Sequence, residues 1–274
     1  DVISSKQLKK IHKITNELIE NSKHINENNH IYDIEKGHSK TRPRLTRIKQ
    51  PHKVNNYFWD VIKESKIEQI LIDLLGKDIS LKTSKLNTKY PDGGSAVEWH
   101  QDWPFYPHTN DDLLSAGILL DDCYEENGPL LVIPGSHKRP IYDHHADGFF
   151  SGAVDPDNFD WDMDTDPVAL EGPAGSVSFH HVRIMHGSAL NTSDRMRRLL
   201  LNGYAAADAW PIMGLGKMSL DDYNAKICHG NPVSQPRQTE VPPYLPLPAA
   251  PLQGSIYENQ KDLINRIFDT YTKS

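Results

Sequence analysis

The sequence predicts a mainly β fold, an antiparallel sandwich or barrel with α-helices packed on it. Two observations carry this: apolar residues recur at helical spacing in parts of the chain up to residue 76, and beyond it short β-prone runs alternate with turn signals.

In the first part, Leu8, Ile11, Thr15, Leu18 and Ile19 form one stripe behind Ser4 and Ser5, either of which can cap a helix. Residues 23–56 are polar and hold a basic cluster, Arg42, Arg44, Arg47 and Lys49. A second helical stretch opens with Phe58, Val61 and Ile62. Ser65 and Glu68 then make a capping-box pattern ahead of Ile70, Leu71, Leu74 and Leu75, and Gly76 suits the position that stops the helix. The strand-like runs ISLKTSKLNTKY, LLSAGILLDD, PLLVIPGS, GSVSFHH and RRLLLNGYAAA follow, broken by PDGG, ENGP and EGPAG. Residues 138–170 form a long connection rich in Asp and aromatics, expected to act as a mobile lid. The prolines of NPVSQPRQTEVPPYLPLPAAP exclude interior helix or sheet. A closing helix is expected from Ser255, boxed by Glu258, with Ile256, Leu263, Ile267 and Phe268 on one side. One domain is expected over residues 1–274: a helical part at 1–76, a β core at 77–210 and a Pro-rich tail with a C-terminal helix at 211–274.

A net charge of -7 and a pI near 6 give no general attraction to nucleic acid or anionic membranes, so neither is expected as a partner. Cys123 and Cys228 are too few for a disulfide framework and lack zinc-site spacing. No apolar run reaches the roughly 18 residues of a membrane helix, and the opening DVISSKQLKK has no signal-peptide core. A soluble cytoplasmic protein is expected. Nothing in the sequence sets its oligomeric state.

The chemistry starts at Val97-Glu98-Trp99-His100-Gln101-Asp102-Trp103. In a strand, side chains two apart share a face, so His100 and Asp102 can offer an imidazole and a carboxylate to one point. A third corner would come from His180, His181 or His186, and spacing does not choose among them. Two His and one carboxylate leave positions open on a metal, the arrangement of non-haem iron(II) oxygenases. Lys85, Asn87 and Lys89 alternate on one strand face and read as a solvated surface sooner than a pocket lining. Trp103, Phe105, Tyr106, Phe149, Phe150, Trp161 and Trp210 are candidates for a pocket wall. Of these, Trp103, Phe105, Phe149 and Trp210 are the expected substrate contacts, Trp103 because it follows Asp102 directly.

WHQDWPFYPH, then ENGPLLVIPGSHK, then HGSALNTSDRMR together resemble the phytanoyl-CoA dioxygenase family of iron(II)/2-oxoglutarate oxygenases, over roughly residues 80–205. The resemblance implies a double-stranded β-helix (jelly-roll, cupin-like) core with flanking α-helices. It implies iron(II) held by His100, Asp102 and His186, with 2-oxoglutarate and O2 as cosubstrates and ascorbate as an optional stimulant. It places Arg197, eleven residues after His186, on the distal carboxylate of 2-oxoglutarate, with Gln101 and Ser188 as further cosubstrate contacts. Chemistry agrees for Arg197: a fixed, bidentate, always-charged partner suits that carboxylate, although Arg195 shares its strand parity and Arg198 faces the other way.

The expected function is oxidation, by default hydroxylation, of a C–H bond in a small polar metabolite of secondary or specialised metabolism. Cyclisation, desaturation and epimerisation use the same residues. Two rivals remain at this stage: a cupin-like metalloenzyme without 2-oxoglutarate, and a non-catalytic jelly-roll ligand-binding protein. The substrate is expected to be compact and neutral or partly cationic. Between Ile141 and Val182 there is no Lys or Arg, while Asp143, Asp147, Asp155, Asp157, Asp160, Asp162, Asp164 and Asp166 concentrate negative charge. The cluster from Arg42 to Lys49 cuts the other way and could dock a phosphorylated, sulfated or carboxylated group.

Overall fold

Helix α1 (Ser5–Asn21) is followed by strands β1 (Tyr32–Ile34) and β2 (Leu45–Lys49), then by helices α2 (Pro51–Val54), α3 (Tyr57–Glu64) and α4 (Lys66–Leu75). The β-rich part runs through β3 (Ile79–Lys89), β4 (Val97–His100), β5 (Leu113–Leu119), β6 (Leu130–Val132), β7 (His145–Ala146) and β8 (Phe149–Phe150). It continues with β9 (Val168–Leu170), β10 (Val177–His181), β11 (His186–Ser188) and β12 (Arg197–Ala206). Helix α5 (Leu220–Asn224), strand β13 (Ile227–His229) and helix α6 (Ile256–Asn259) complete the chain. This computed structural model describes residues 2–64, 66–91, 96–155, 166–251, 254–261 and 263–268.

The large sheet has the order β1-β2-β3-β12-β5-β10, with β13 also paired to β3; the small one has the order β4-β11-β6-β9. All pairings are antiparallel, the mainly β architecture expected. Strand parity gives the large sheet two unlike faces. Ile48, Leu86, Leu200, Ile118 and Ala116 pack with Ile11, Phe58, Ile62 and Leu71 of the helices in the principal core. The opposite face carries rows set by register: Arg47, Asn87, Leu199 and Leu119; Lys49, Lys85, Leu201, Gly117 and Ser178; Gly203, Ser115 and His180; and the pair Lys89 and Arg197. A bulge where Thr83 and Leu81 meet Gly203 and Tyr204 separates Leu81, in the core, from this polar face.

The capping box of Ser4 and Gln7 opens α1, and Gly76 takes a φ of 87° after α4, both as expected. Ser65 lies outside the described residues. The segment 1–76 is less helical than expected. The end of its basic cluster becomes β2, because Arg47 and Lys49 flank the buried Ile48 on the opposite face and pair with Asp33 of β1, the register partner of Arg47. The segment 211–274 likewise contributes β13. The closing helix is a single turn, boxed by Ser255 and Glu258. Beyond it the Glu98 carboxylate accepts from the backbone N–H groups of Ile267 (3.1 Å) and Phe268 (3.4 Å). Phe268 stacks on Trp99 at 5.8 Å within a second core that includes Ile133, Val154 and Met185.

The expected lid is pinned in its first part. Ser151 and Gly152 donate their N–H groups to His144 O, Val154 N–H donates to Trp99 O, and Ala153 and Val154 are buried against the core. Residues 156–165, with Trp161, lie outside the described residues.

Trp103 belongs to a third core with Leu113, Ile141, Val182, Ala205 and Ala209; it is 0% exposed and donates its indole N–H to Pro242 O at 3.0 Å. It is therefore a packing residue and not a pocket wall, because the chain turns into a 3-10 segment at Trp103 and carries the ring away from the strand face. Trp103→Phe should lower unfolding stability by about 1–3 kcal/mol in urea titrations, through lost volume and an unpaired carbonyl, and leave substrate KM within about twofold of wild type. A large KM effect at unchanged stability would return Trp103 to the pocket.

Candidate active site

His100 ends β4 and His186 begins β11, and the two are register partners whose ring centroids lie 4.0 Å apart. Asp102 lies two residues past the end of β4; its Oδ1 is 3.8 Å from His100 Nε2. Each ring is oriented from behind. His100 Nδ1 bonds Glu98 O at 2.8 Å and His186 Nδ1 bonds Ile184 O at 2.9 Å, so both Nε2 atoms are left for the site. One donor atom from each of the three residues lies within 4.8 Å of the others, and all three side chains are buried.

Burial, reinforced by His186, holds the His100 ring well below its usual pKa, and burial lowers His186 too, so both are neutral donors. For Asp102 burial acts upward, but His186, Lys85 and His100 outweigh it and hold the carboxyl below the usual range. Two neutral imidazoles and one carboxylate, converging from fixed orientations, fit a divalent iron. When bound, iron(II) supplies the redox chemistry that O2 requires.

A second polar corner lies where β3 meets β12. Lys89, 1% exposed, donates to Ser188 Oγ at 2.8 Å and to the Ala189 carbonyl; its cross-strand neighbour Arg197 donates to Gly128 O at 2.6 Å while its buried Nε has no partner. Burial, then Arg197, drives Lys89 well below its ordinary pKa. A buried guanidinium with an unused donor and an amine beside it suit an anion, which would also restore the charge of Lys89, and the distal carboxylate of 2-oxoglutarate fits. Arg195 pairs with Glu126 at the surface and Arg198 pairs with Asp121, which separates both from this corner.

Ser188 thus lies at this corner, bonded to Lys89, whereas Gln101 is held elsewhere. Its side chain donates to Arg183 O and Pro140 O and accepts from Tyr142 N–H, tying loops together on the side away from the triad, as alternation between His100 and Asp102 requires. Phe105 stands edge-on to His100 at 5.8 Å and against Phe150 at 4.9 Å. Phe149 is 43% exposed; in the two-residue strand β8 it is Phe150 that turns inward. Trp210 packs on Tyr223 at 5.0 Å and donates to Val233 O, one layer behind the cavity.

That cavity, about 950 Å³, abuts Asp102 and is lined, among the described residues, by seven Lys and Arg residues, Lys82 and Lys85 among them, against two carboxylates, Asp102 and Asp222. This described lining is opposite in charge to that expected from the Asp-rich connection, of which Asp157, Asp160, Asp162 and Asp164 lie outside the described residues. The strand face of Lys85, Asn87 and Lys89, read as solvated, is instead turned into the protein. The alternation in the sequence could have revealed this, but parity does not say which face of a strand meets water. Tyr106, also in the cavity wall, faces Asp102, and burial together with that carboxylate holds its hydroxyl well above its usual pKa. His180 stands 5.0 Å from His186; burial, then His186, lowers its ring to about 3.

The model of the phytanoyl-CoA dioxygenase family matches residues 1–199. A probable alpha-ketoglutarate-dependent hypophosphite dioxygenase of Stutzerimonas stutzeri is 42% identical over 243 residues, 88% of this chain and 84% of the relative. An L-proline trans-4-hydroxylase of Streptomyces griseoviridis is 35% identical over 48% of this chain and 56% of its own length. Among solved structures, EctD from S. alaskensis with 2-oxoglutarate and 5-hydroxyectoine shares the fold, with a TM-score of 0.66 at 21% identity over 89% of this chain and 83% of that one. By its sequence match, and with a fold and a buried His-Asp-His cluster to suit, the chain belongs to the phytanoyl-CoA dioxygenase family.

Proposed function

We propose that this iron(II)- and 2-oxoglutarate-dependent dioxygenase oxidises a small phosphorus oxyanion, hypophosphite, by converting a P–H bond into P–OH. The observation that carries the proposal is the cationic cavity abutting Asp102. A cleft of one sign concentrates ions of the other, and a desolvated oxyanion needs charge-assisted donors. The 42% identical relative, a probable hypophosphite dioxygenase, supports the same class. A P–H bond takes the place of the C–H bond expected from the sequence. The reaction balances: hypophosphite, O2 and 2-oxoglutarate give hydrogen phosphite, succinate and CO2, with one oxygen atom of O2 in succinate and the other in phosphite.

His100, Asp102 and His186 hold the metal through the Nε2 atoms and the carboxylate. Arg197, with Lys89 beside it, takes the distal carboxylate of 2-oxoglutarate. Phe105 and Phe150 shield the His100 ring from water. The cavity cations draw in the substrate.

The direct test is succinate release together with phosphite formation by phosphorus NMR, with hypophosphite set against proline, ectoine, simple amines and acyl-CoAs. Coupling to any of these rivals but not to hypophosphite would overturn the proposal. His100→Ala, Asp102→Ala and His186→Ala should each abolish turnover, and near-wild-type activity in one would remove that residue from the ligand set. Arg197→Ala should leave iron binding largely intact and cost 2-oxoglutarate on the order of 2–5 kcal/mol, raising its Kd at least tens of times in anaerobic titrations of the visible chelate band.

A pH effect follows from Lys82, which burial, then Lys226, lowers to about 7 beside the Tyr223 hydroxyl. Its charge is present below that pH and lost above it, so KM for the anion should climb as pH rises through about 7. Lys82→Gln should flatten that climb.

A further inference from the structure

We propose that His180 and Lys85 together grip the substrate anion and so decide which molecules are oxidised at the triad. The proposal rests on the oxyanion reading above and gives it named residues. His180 is 4% exposed, and neither of its ring nitrogens has a hydrogen-bond partner. A buried imidazole with both nitrogens unused is costly, and one 5.0 Å from His186 is placed to serve a ligand beside the triad. As a neutral ring it offers one N–H donor and one acceptor.

Lys85 supplies the charge. Of the cavity cations on its own and the neighbouring strand, Arg47 and Lys49 are both paired with Asp33, and Lys82 is bonded to the Tyr223 hydroxyl. Lys85 makes no hydrogen bond to a described residue, shares the cavity wall with Asp102, and lies within electrostatic reach of Asp102 and His180. Between Lys85 on β3 and His180 on β10 lie Gly203 and Ser115 in one row and Leu201 and Gly117 in the next, with Leu201 reaching over Gly117. Ser115 and Leu201 line the cavity together with Lys85, and the cavity is the room over this part of the sheet. A small oxyanion seated there takes the Lys85 ammonium on one oxygen and the His180 N–H on the other, with its remaining bonds free to face the triad.

The test is anion binding as well as turnover. Hypophosphite and phosphite are titrated calorimetrically into wild type, His180→Phe and Lys85→Met, each loaded anaerobically with iron(II) and 2-oxoglutarate and each also metal-free. Each variant should lose about 10–100-fold in affinity for both anions and keep its 2-oxoglutarate Kd within about twofold. His180→Gln and Lys85→Arg, which retain a donor, should recover part of the loss and control for misfolding. Wild-type affinity in His180→Phe or Lys85→Met, or no anion binding by wild type, overturns the proposal. Variant-sensitive phosphite binding without hypophosphite turnover would support the grip and sink the substrate named above. Turnover with unchanged affinity in both variants would do the reverse.

Discussion

His100 and His186 face each other because β4 and β11 pair antiparallel with those two residues opposite. Side chains alternate along a strand, so a slip of one residue would turn one imidazole out of the site. The small sheet therefore fixes two of the three proposed metal ligands by backbone hydrogen bonds alone. The carbonyls of Glu98 and Ile184 then set the ring orientations, each from two residues upstream of its histidine.

The same alternation sorts charge in the large sheet. One face is given over to the helices and is apolar. The other carries Arg47, Lys49, Lys85, Lys89 and Arg197. So many cations on a partly buried face are tolerated only where anions meet them. Asp33 meets two from within the chain. In the proposed reading the rest would be met by molecules from outside, 2-oxoglutarate at the Lys89 and Arg197 corner and the substrate nearer Lys85. Cosubstrate and substrate would thus be recognised by one continuous strand, β3, at positions four residues apart.

The triad was legible because its parts are local: an HxD on a strand and a His followed by Gly and Ser, in an order the family shares. The helix boundaries were legible too, since Ser4 with Gln7 and Gly76 are local signals. What sequence could not give was direction. Lys85, Asn87 and Lys89 carry the same alternation whether the face meets water or a cavity. The Asp-rich connection predicts a negative pocket, yet the described lining takes its cations from β2, α2, β3 and segments near residues 217–226, which only the fold brings together. Trp103 sits beside a ligand in sequence and inside a core in space, because a 3-10 turn begins between them. His180 was indistinguishable from its neighbours until its two bare nitrogens could be seen.

Glu98 joins two regions that the sequence keeps far apart. Its carbonyl accepts from the His100 ring, and its carboxylate accepts from the backbone of Ile267 and Phe268, which brings Phe268 onto Trp99. The aim of one imidazole and the seating of the last described turn thus pass through a single residue. The carbonyl that aims His100 and the carboxylate that seats Ile267 and Phe268 belong to one side chain and its own backbone, so the C-terminal segment packs against the strand that carries the triad's first histidine.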